Sequence, residues 1–209
     1  FGCAISTSTT DPTPANHNWT VDTTAPNTSI TTHPAALTNG TSATFEFTST
    51  EAGTFECDLD GGGFATCTTP KTYNGLAETP NPHTFQVRAI DAANNTDPTP
   101  ASFSWTIDTT APDTVIDSTP TNPTNATTAA FTFHSTEGGG TFQCKLDAGS
   151  FAACTSPQNY SALSTGSHTF DVKATDAAGN TDLTRARLTS TLVSPARIPA
   201  FDTNPTNPT

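Results

Sequence analysis

The chain states one pattern twice. Residues 41–60, TSATFEFTSTEAGTFECDLD, return as residues 127–147, TTAAFTFHSTEGGGTFQCKLD. The run Trp19-Thr20-Val21-Asp22-Thr23-Thr24-Ala25-Pro26 returns as Trp105-Thr106-Ile107-Asp108-Thr109-Thr110-Ala111-Pro112, 86 positions on. Self-similarity at that period is the mark of a tandem array, in which one folding unit is written more than once. Each copy must then bury a core of its own, and a unit of this size holds a small one. The 209 residues suit two such domains.

Within one copy the apolar residues alternate. Ser29 to Thr32 reads as a short extended lead-in. Phe45 and Phe47 share one side of a strand over Ala43 to Thr48, and Phe55, Cys57 and Leu59 share one side of the next. Asp60-Gly61-Gly62-Gly63 is a turn, since glycine takes positive φ without steric cost. Phe64 to Cys67 returns antiparallel, and Tyr73 to Leu76 forms a further short strand and corner. His83, Phe85, Val87 and Ala89 alternate in a long strand. Ala101, Phe103, Trp105 and Ile107 alternate in the last one. No window carries apolar residues at sustained helical spacing. The pattern predicts an all-β chain, about seven short strands per copy, arranged as a two-sheet sandwich.

Five cysteines are present. Cys57 and Cys67, and Cys144 and Cys154, stand ten positions apart at matching places. In a chain without CxxC this spacing reads as one disulfide per copy and an oxidising compartment. The competing account is a pair of buried free thiols. Zinc is disfavoured because no His stands at ligand spacing.

At this point the residues resemble a known family. Leu76 with His83-Thr84-Phe85-Gln86-Val87-Arg88-Ala89-Ile90-Asp91 is similar to a strand and its entry corner in fibronectin type III-like domains. Asp108-Thr109-Thr110-Ala111-Pro112 resembles the linker of bacterial immunoglobulin-like repeats in large secreted cell-surface proteins. The Phe-x-Cys-x-Leu-Asp hairpin closed by Phe-x-x-Cys is similar to a disulfide-bearing subset of them. The resemblance implies two tandem seven-stranded immunoglobulin-like β-sandwiches, and it is weak for function because such repeats serve many proteins as spacers. One departure stands out. The family's corner position often holds Tyr, and here it holds His83 and His168, read as core-edge histidines that bond backbone.

The ends extend the repeat. Residues 10–22 copy the last strand, residues 96–108, with no sandwich of their own before them. Phe201 to Thr209 copy Ile116 to Thr124, the entry to a repeat. The expected organisation is therefore a strand-like segment at 1–22, repeats at 23–108 and 109–194, and a strand-like tail or further repeat start at 195–209. Two readings follow. Either this is a window of a longer array, with Phe1 a cut or processed end, or the chain is a filament subunit. In the second, a strand with Ala15, His17, Trp19 and Val21 on one face inserts into the next copy. Such a head-to-tail contact is heterologous and builds open fibres. Cys3 maps onto a core-facing place, Ala89 and Ala174. It either links subunits covalently or stays a thiol at a cut end. Arg185, Arg187 and Arg197 form a basic stretch near the C-terminus, read as a solvated patch or an aid to docking.

Composition limits the partners. Seven Lys and Arg stand against 19 Asp and Glu, for a formal net charge of −12. Phosphate binding needs cations, so nucleic acid and anionic membrane surfaces are excluded as expectations, and no apolar run is long enough to span a bilayer. No nucleophile elbow, phosphate loop or His-Glu-x-x-His motif occurs, so neither an enzyme nor a cofactor is expected. Asp91, Asp97, Asp176 and Asp182 recur beside Asn95 and Asn180, with Asp22 and Asp108 before the linkers. These are oxygen ligands suited to calcium between domains, or turn residues bonding their own backbone. Sequons at Asn18, Asn27, Asn39, Asn94, Asn125 and Asn159 mark candidate glycosylation sites. Trp19 and Trp105 occupy core-face positions of the last-strand pattern, so no exposed aromatic platform for sugars is visible. The expected function is a structural unit of an extracellular bacterial surface fibre whose partners are its own copies or neighbouring repeats. The alternative is an adhesin stalk or a glycan-binding accessory module of a secreted protein.

Overall fold

The computed structural model describes residues 16–193. Every regular element in it is a strand. The first half holds β1 (Thr28–Thr32), β2 (Leu37–Thr38), β3 (Ala43–Ser49), β4 (Gly53–Leu59), β5 (Ala65–Cys67), β6 (Lys71–Tyr73), β7 (His83–Asp91) and β8 (Ala101–Ile107). The second half holds β9 (Thr114–Ser118), β10 (Ala129–Ser135), β11 (Thr141–Leu146), β12 (Ala152–Cys154), β13 (Gln158–Tyr160), β14 (Gly166–Thr175) and β15 (Ala186–Leu192).

In the first half a sheet ordered β1-β3-β6 faces one ordered β2-β8-β7-β4-β5. In the second, β13-β10-β9 faces β12-β11-β14-β15. The two halves differ at one edge. Leu37–Thr38 pairs parallel with Thr106 and Ile107, and in the second half the same place is held by one parallel bridge, Thr124 to Leu192. The architecture is all-β and immunoglobulin-like, as the alternation and the resemblance implied. One local reading shifts. The corner strand lies at Lys71–Tyr73 rather than 73–76 and pairs with β3 in the opposite sheet, while Leu76 donates its N–H to the Thr41 carbonyl.

Each core is aromatic and sits between its sheets. Phe45 stacks on Phe85 at 4.0 Å and Phe131 on Phe170 at 4.1 Å. Each fully buried Phe contributes about 1.5–3 kcal/mol. Trp105 closes the first core, 1% exposed, against Phe45 and His83. At the matching place the second core holds Ser190, buried, with no partner for its hydroxyl among the described residues. β15 nevertheless keeps the register of β8, since Phe170 faces Leu188 as Phe85 faces Phe103.

β4 approaches β7 so closely that a Cβ on Gly53 would strike the Ile90 carbonyl, and one on Gly140 would strike that of Thr175. This is why Gly opens β4 at 53 and stands just before β11 at 140.

Cys57 is bonded to Cys67, and Cys144 to Cys154, each pair with Cα atoms 5.8 Å apart. Cys57 faces Ala65 and Cys67 faces Phe55, so the bridge runs diagonally across the β4–β5 hairpin. Replacing Cys57 and Cys67 together by Ala is expected to cost the first half about 2–3 kcal/mol through loop-closure entropy. Its calorimetric midpoint should fall by about 10–20 °C, with the second-half transition unmoved.

The two corner histidines are tied on both ring nitrogens. His83 Nδ1 lies 2.8 Å from Asp60 Oδ2, and Nε2 lies 2.7 Å from the Ala77 carbonyl. His168 repeats this with Asp147 at 2.8 Å and the Ser164 carbonyl at 2.9 Å. Carboxylate and carbonyl oxygens accept, so the imidazolium form, with both nitrogens donating, is the one this pair of partners favours. Burial works against the cation at His83, but the Ala77 carbonyl and Asp60 outweigh it and raise its pKa. At His168 the Ser164 carbonyl leads the same upward shift, helped by Asp147.

A raised His pKa stabilises below the ordinary value of 6.5 and loses that stabilisation as pH climbs through the folded value. Asp97, Asp147, Asp171 and Asp182 are all held below the ordinary 3.8, so their stabilisation is lost as pH falls. Stability should therefore peak between about pH 4 and 6.5. Urea midpoints measured from pH 3 to 9 check this. His83→Gln with His168→Gln should flatten the alkaline limb and leave the part of the acid limb set by Asp97, Asp171 and Asp182 in place.

Candidate functional site

Two features carry the molecule's specific polar chemistry: the joint between the halves, and one sheet face of the second half.

The joint is built from Asp108-Thr109-Thr110-Ala111-Pro112. The Asp108 carboxylate accepts the Thr110 N–H at 3.1 Å, an Asx turn that shapes the segment locally, and Asp22 does the same for Thr24 at 3.0 Å. The first half holds the segment through Glu78, whose carboxylate accepts both the N–H and the hydroxyl of Thr109, at 2.7 and 2.5 Å. Those bonds lower the Glu78 pKa. The second half holds it through Asn180, which donates from Nδ2 to the Asp108 carbonyl at 2.8 Å. Asn39, just past β2, adds its N–H to the Ala178 carbonyl at 3.2 Å. Pro112 is buried.

Carboxylates converge at the same joint. Donor oxygens of Asp108, Glu137 and Asp176 lie within 4.8 Å of one another, and Asp22, Glu51 and Asp91 repeat the arrangement one unit earlier. Asn95 donates to the Asp22 carbonyl at 3.1 Å, as Asn180 does to Asp108. Desolvation and the charges of Asp108 and Asp176 raise the Glu137 pKa. In contrast, Asn180 and the Gly179 and Ala178 N–H groups overcome burial and lower Asp176. These six carboxylates are the hard oxygen donors a divalent cation would take.

The sequence grouping is corrected in one respect. Asp97 and Asp182 do not join these clusters. They are 2% and 3% exposed and tie the sandwich together internally: Asp97 accepts the Thr28 N–H at 2.9 Å and the Thr99 N–H at 2.8 Å. Asp182 does the same with Thr114 and Thr184. Glu51 and Glu137 were not among the candidates. The signal for them was the repeated Ser-Thr-Glu at 49–51 and 135–137.

The remaining candidates lie on the surface or outside the description. Asn18, Asn27, Asn39, Asn94, Asn125 and Asn159 are all exposed. His17, Trp19 and Val21 are exposed too, Trp19 at 77% and Val21 at 75%. Residues 16–22 form no strand, because no neighbouring strand pairs with them among the described residues, and the strand-like pattern is left facing solvent. Trp19 thus departs from the core-face reading that Trp105 meets. Cys3, Ala15, Arg197 and the tail from 194 lie outside the described residues.

The second feature is the outer face of β11, β14 and β15. Asp171 is fully buried there and meets Arg187 at 2.6 and 3.2 Å, Lys145 at 3.3 Å and Arg185 at 3.6 Å. The Arg187 hydrogen bonds, foremost, hold its carboxyl below the usual range against the effect of burial. Elsewhere, a surface hollow of about 360 Å³ is lined by Asp60, Gly61, Pro80, Pro82, Thr84 and Gln86. Its one ionisable group, Asp60, is already engaged with His83.

No protein-family model matches the chain, and no curated protein matches it in sequence. Among solved structures it is similar to the fibronectin(III)-like modules of CbhA from Clostridium thermocellum, at 15% identity and a TM-score of 0.45, over 80% of this chain and 95% of that one. It is similar to a 1.5-MDa bacterial ice-binding adhesin, described for host cell surface retention, at 12% identity and a TM-score of 0.47, over 81% of this chain and 64% of that one. Murine CEACAM1b follows at 12% identity and a TM-score of 0.42, over 81% and 100%.

Proposed function

We propose that the chain is a mechanical spacer: two disulfide-clipped sandwiches, at 23–108 and 109–194, held end to end in an extracellular bacterial surface fibre. The observation that carries this reading is the linker, gripped by Glu78 from the first half and Asn180 from the second, while Asn39 bonds the second half directly at the Ala178 carbonyl. Proline at 112 narrows its conformations further. The bridges support an oxidising, extracellular setting. The exposed sequon asparagines are offered as glycan attachment points.

In the filament form of this reading, residues 10–22 add as a strand to a following copy and bury the apolar face of Ala15, His17, Trp19 and Val21. Small-angle scattering tests the spacer: the chain should behave as a rod of fixed length, and Asn180→Ala with Glu78→Ala should broaden its distance distribution. A flexible native chain sinks the proposal. Electron microscopy tests strand addition, since Trp19→Ser should abolish filaments that the native chain forms. Saturable binding in a sugar screen with the isolated chain would favour an adhesin stalk or accessory module instead.

A further inference from the structure

Four of the seven Lys and Arg residues of this chain stand on one side of one sheet. In the β11–β14–β15 ladder Lys145 faces Asp171, and Asp171 faces Arg187. Gln143 faces Lys173, and Arg185 stands one place beyond the paired end of β15 on that side. The alternate residues Cys144 and Val172 point into the core, so this row points out. Lys173 and Lys145 lie over the Phe151 ring at 4.8 and 5.3 Å. One carboxylate against four cations leaves an excess of three positive charges. The Arg187 and Arg185 side chains are 51% and 43% exposed, so the excess faces solvent.

The fold does not require this charge. The first half builds the same face from Glu56, Asp58, Gln86, Arg88 and Ser102, with Arg88 committed to Glu56 at 2.7 Å and set over Phe64. Pro100 stands where the second half has Arg185. Arg185 also carries φ 46°, a left-handed backbone that costs a non-glycine residue free energy. A cationic island is thus built, against local strain, into a chain whose formal net charge is −12.

We propose that this face docks the acidic surface of a second copy of the chain. Charge complementarity argues for that occupant. The first half gathers Asp22, Glu51 and Asp91 with oxygens within 4.8 Å of one another; Asp22 is exposed, Glu51 half-buried, and Asp91 adds its charge from beneath them, three negative charges against the excess of three. The contact joins unlike patches, so it is heterologous and propagates rather than closing on a pair. It rests on neither the gripped linker nor strand addition, and it fails or stands apart from both. Screening by salt sets its range, with a Debye length of about 8 Å at physiological ionic strength.

Sedimentation velocity on the full 209-residue chain tests this. The native chain should self-associate at about 0.1 M salt and dissociate at about 1 M. Lys173→Gln with Arg185→Gln leaves Asp171 its Arg187 and Lys145 partners, so the fold, followed by circular dichroism, should hold while association weakens about ten-fold. Asp22→Asn with Glu51→Gln should weaken it similarly. Mixing the two variants should restore one-to-one pairs and nothing longer, since each supplies one intact patch. A monomeric native chain overturns the proposal. So does association unchanged in either variant, including association that only Trp19→Ser removes, which would be strand addition. Tight binding of a polyanionic polysaccharide to the native face, without self-association, overturns it in favour of a glycan partner.

Discussion

Trp105→Ala is expected to unfold the first half near ambient temperature while the second half stays folded. The indole is 1% exposed and packs against Phe45 at 5.3 Å and His83 at 5.3 Å. Removing it from a packed core costs about 3–5 kcal/mol. A sandwich of this size holds about 4–13 kcal/mol in total, so the loss takes about half of a typical reserve. Calorimetry should show the first-half transition lowered by about 20–30 °C. A shift of only a few degrees would mean that the core is not closed by this ring. Fluorescence is the wrong readout, because Trp19 is then the one remaining indole and it is already exposed. Ser190→Ala at the matching place of the second half gives the contrast. It removes a buried hydroxyl that has no partner among the described residues, and the second transition should hold or rise.

Asp97→Ala is the second large effect. Its carboxylate accepts the N–H of Thr28, itself 5% exposed, and the N–H and hydroxyl of Thr99 at 2.8 and 3.1 Å. Thr28 in turn accepts the Ala89 N–H through its hydroxyl at 2.9 Å. One side chain thus links β1 in one sheet to β7 and the β7–β8 loop of the other. Deleting it leaves a buried amide without an acceptor and loses charge-assisted bonds, about 2–4 kcal/mol in sum. Hydrogen exchange should show Thr28 and Ala89 losing protection ahead of Phe45. Asp182→Ala should do the same to Thr114 and Ala174 in the second half. Loss spread evenly over the half would mean that Asp97 is not the local clip.

The strands were legible because alternation is a short-range signal. Phe45 and Phe47, or Phe85 and Val87, declare a buried face whatever pairs with them. What pairs with what was less legible. β2 has two residues and a parallel partner, which no local pattern announces. Lys71–Tyr73 joins the opposite sheet, a choice made by the path of the chain. The histidine corners were read as backbone-bonding, and their second bonds, to Asp60 and Asp147, come from a hairpin turn more than 20 residues away.

The polar sites show the same limit. Asp91 and Asp97 look alike in sequence, and only the fold sends one to the Asp22 and Glu51 carboxylates and the other between the sheets. Arg185 and Arg187 were visible as a basic stretch. Lys145 and Lys173 reach them only through strand register.

The diagonal Cys57–Cys67 and Cys144–Cys154 bridges also bear on stretching. Each removes ten residues from the thread that a pulled chain can release, about 30 Å of contour length per half. A sandwich torn open in a force spectrometer would therefore yield a shorter step than its residue count implies. A reductant would restore the difference while leaving the spacing of intact units as it was.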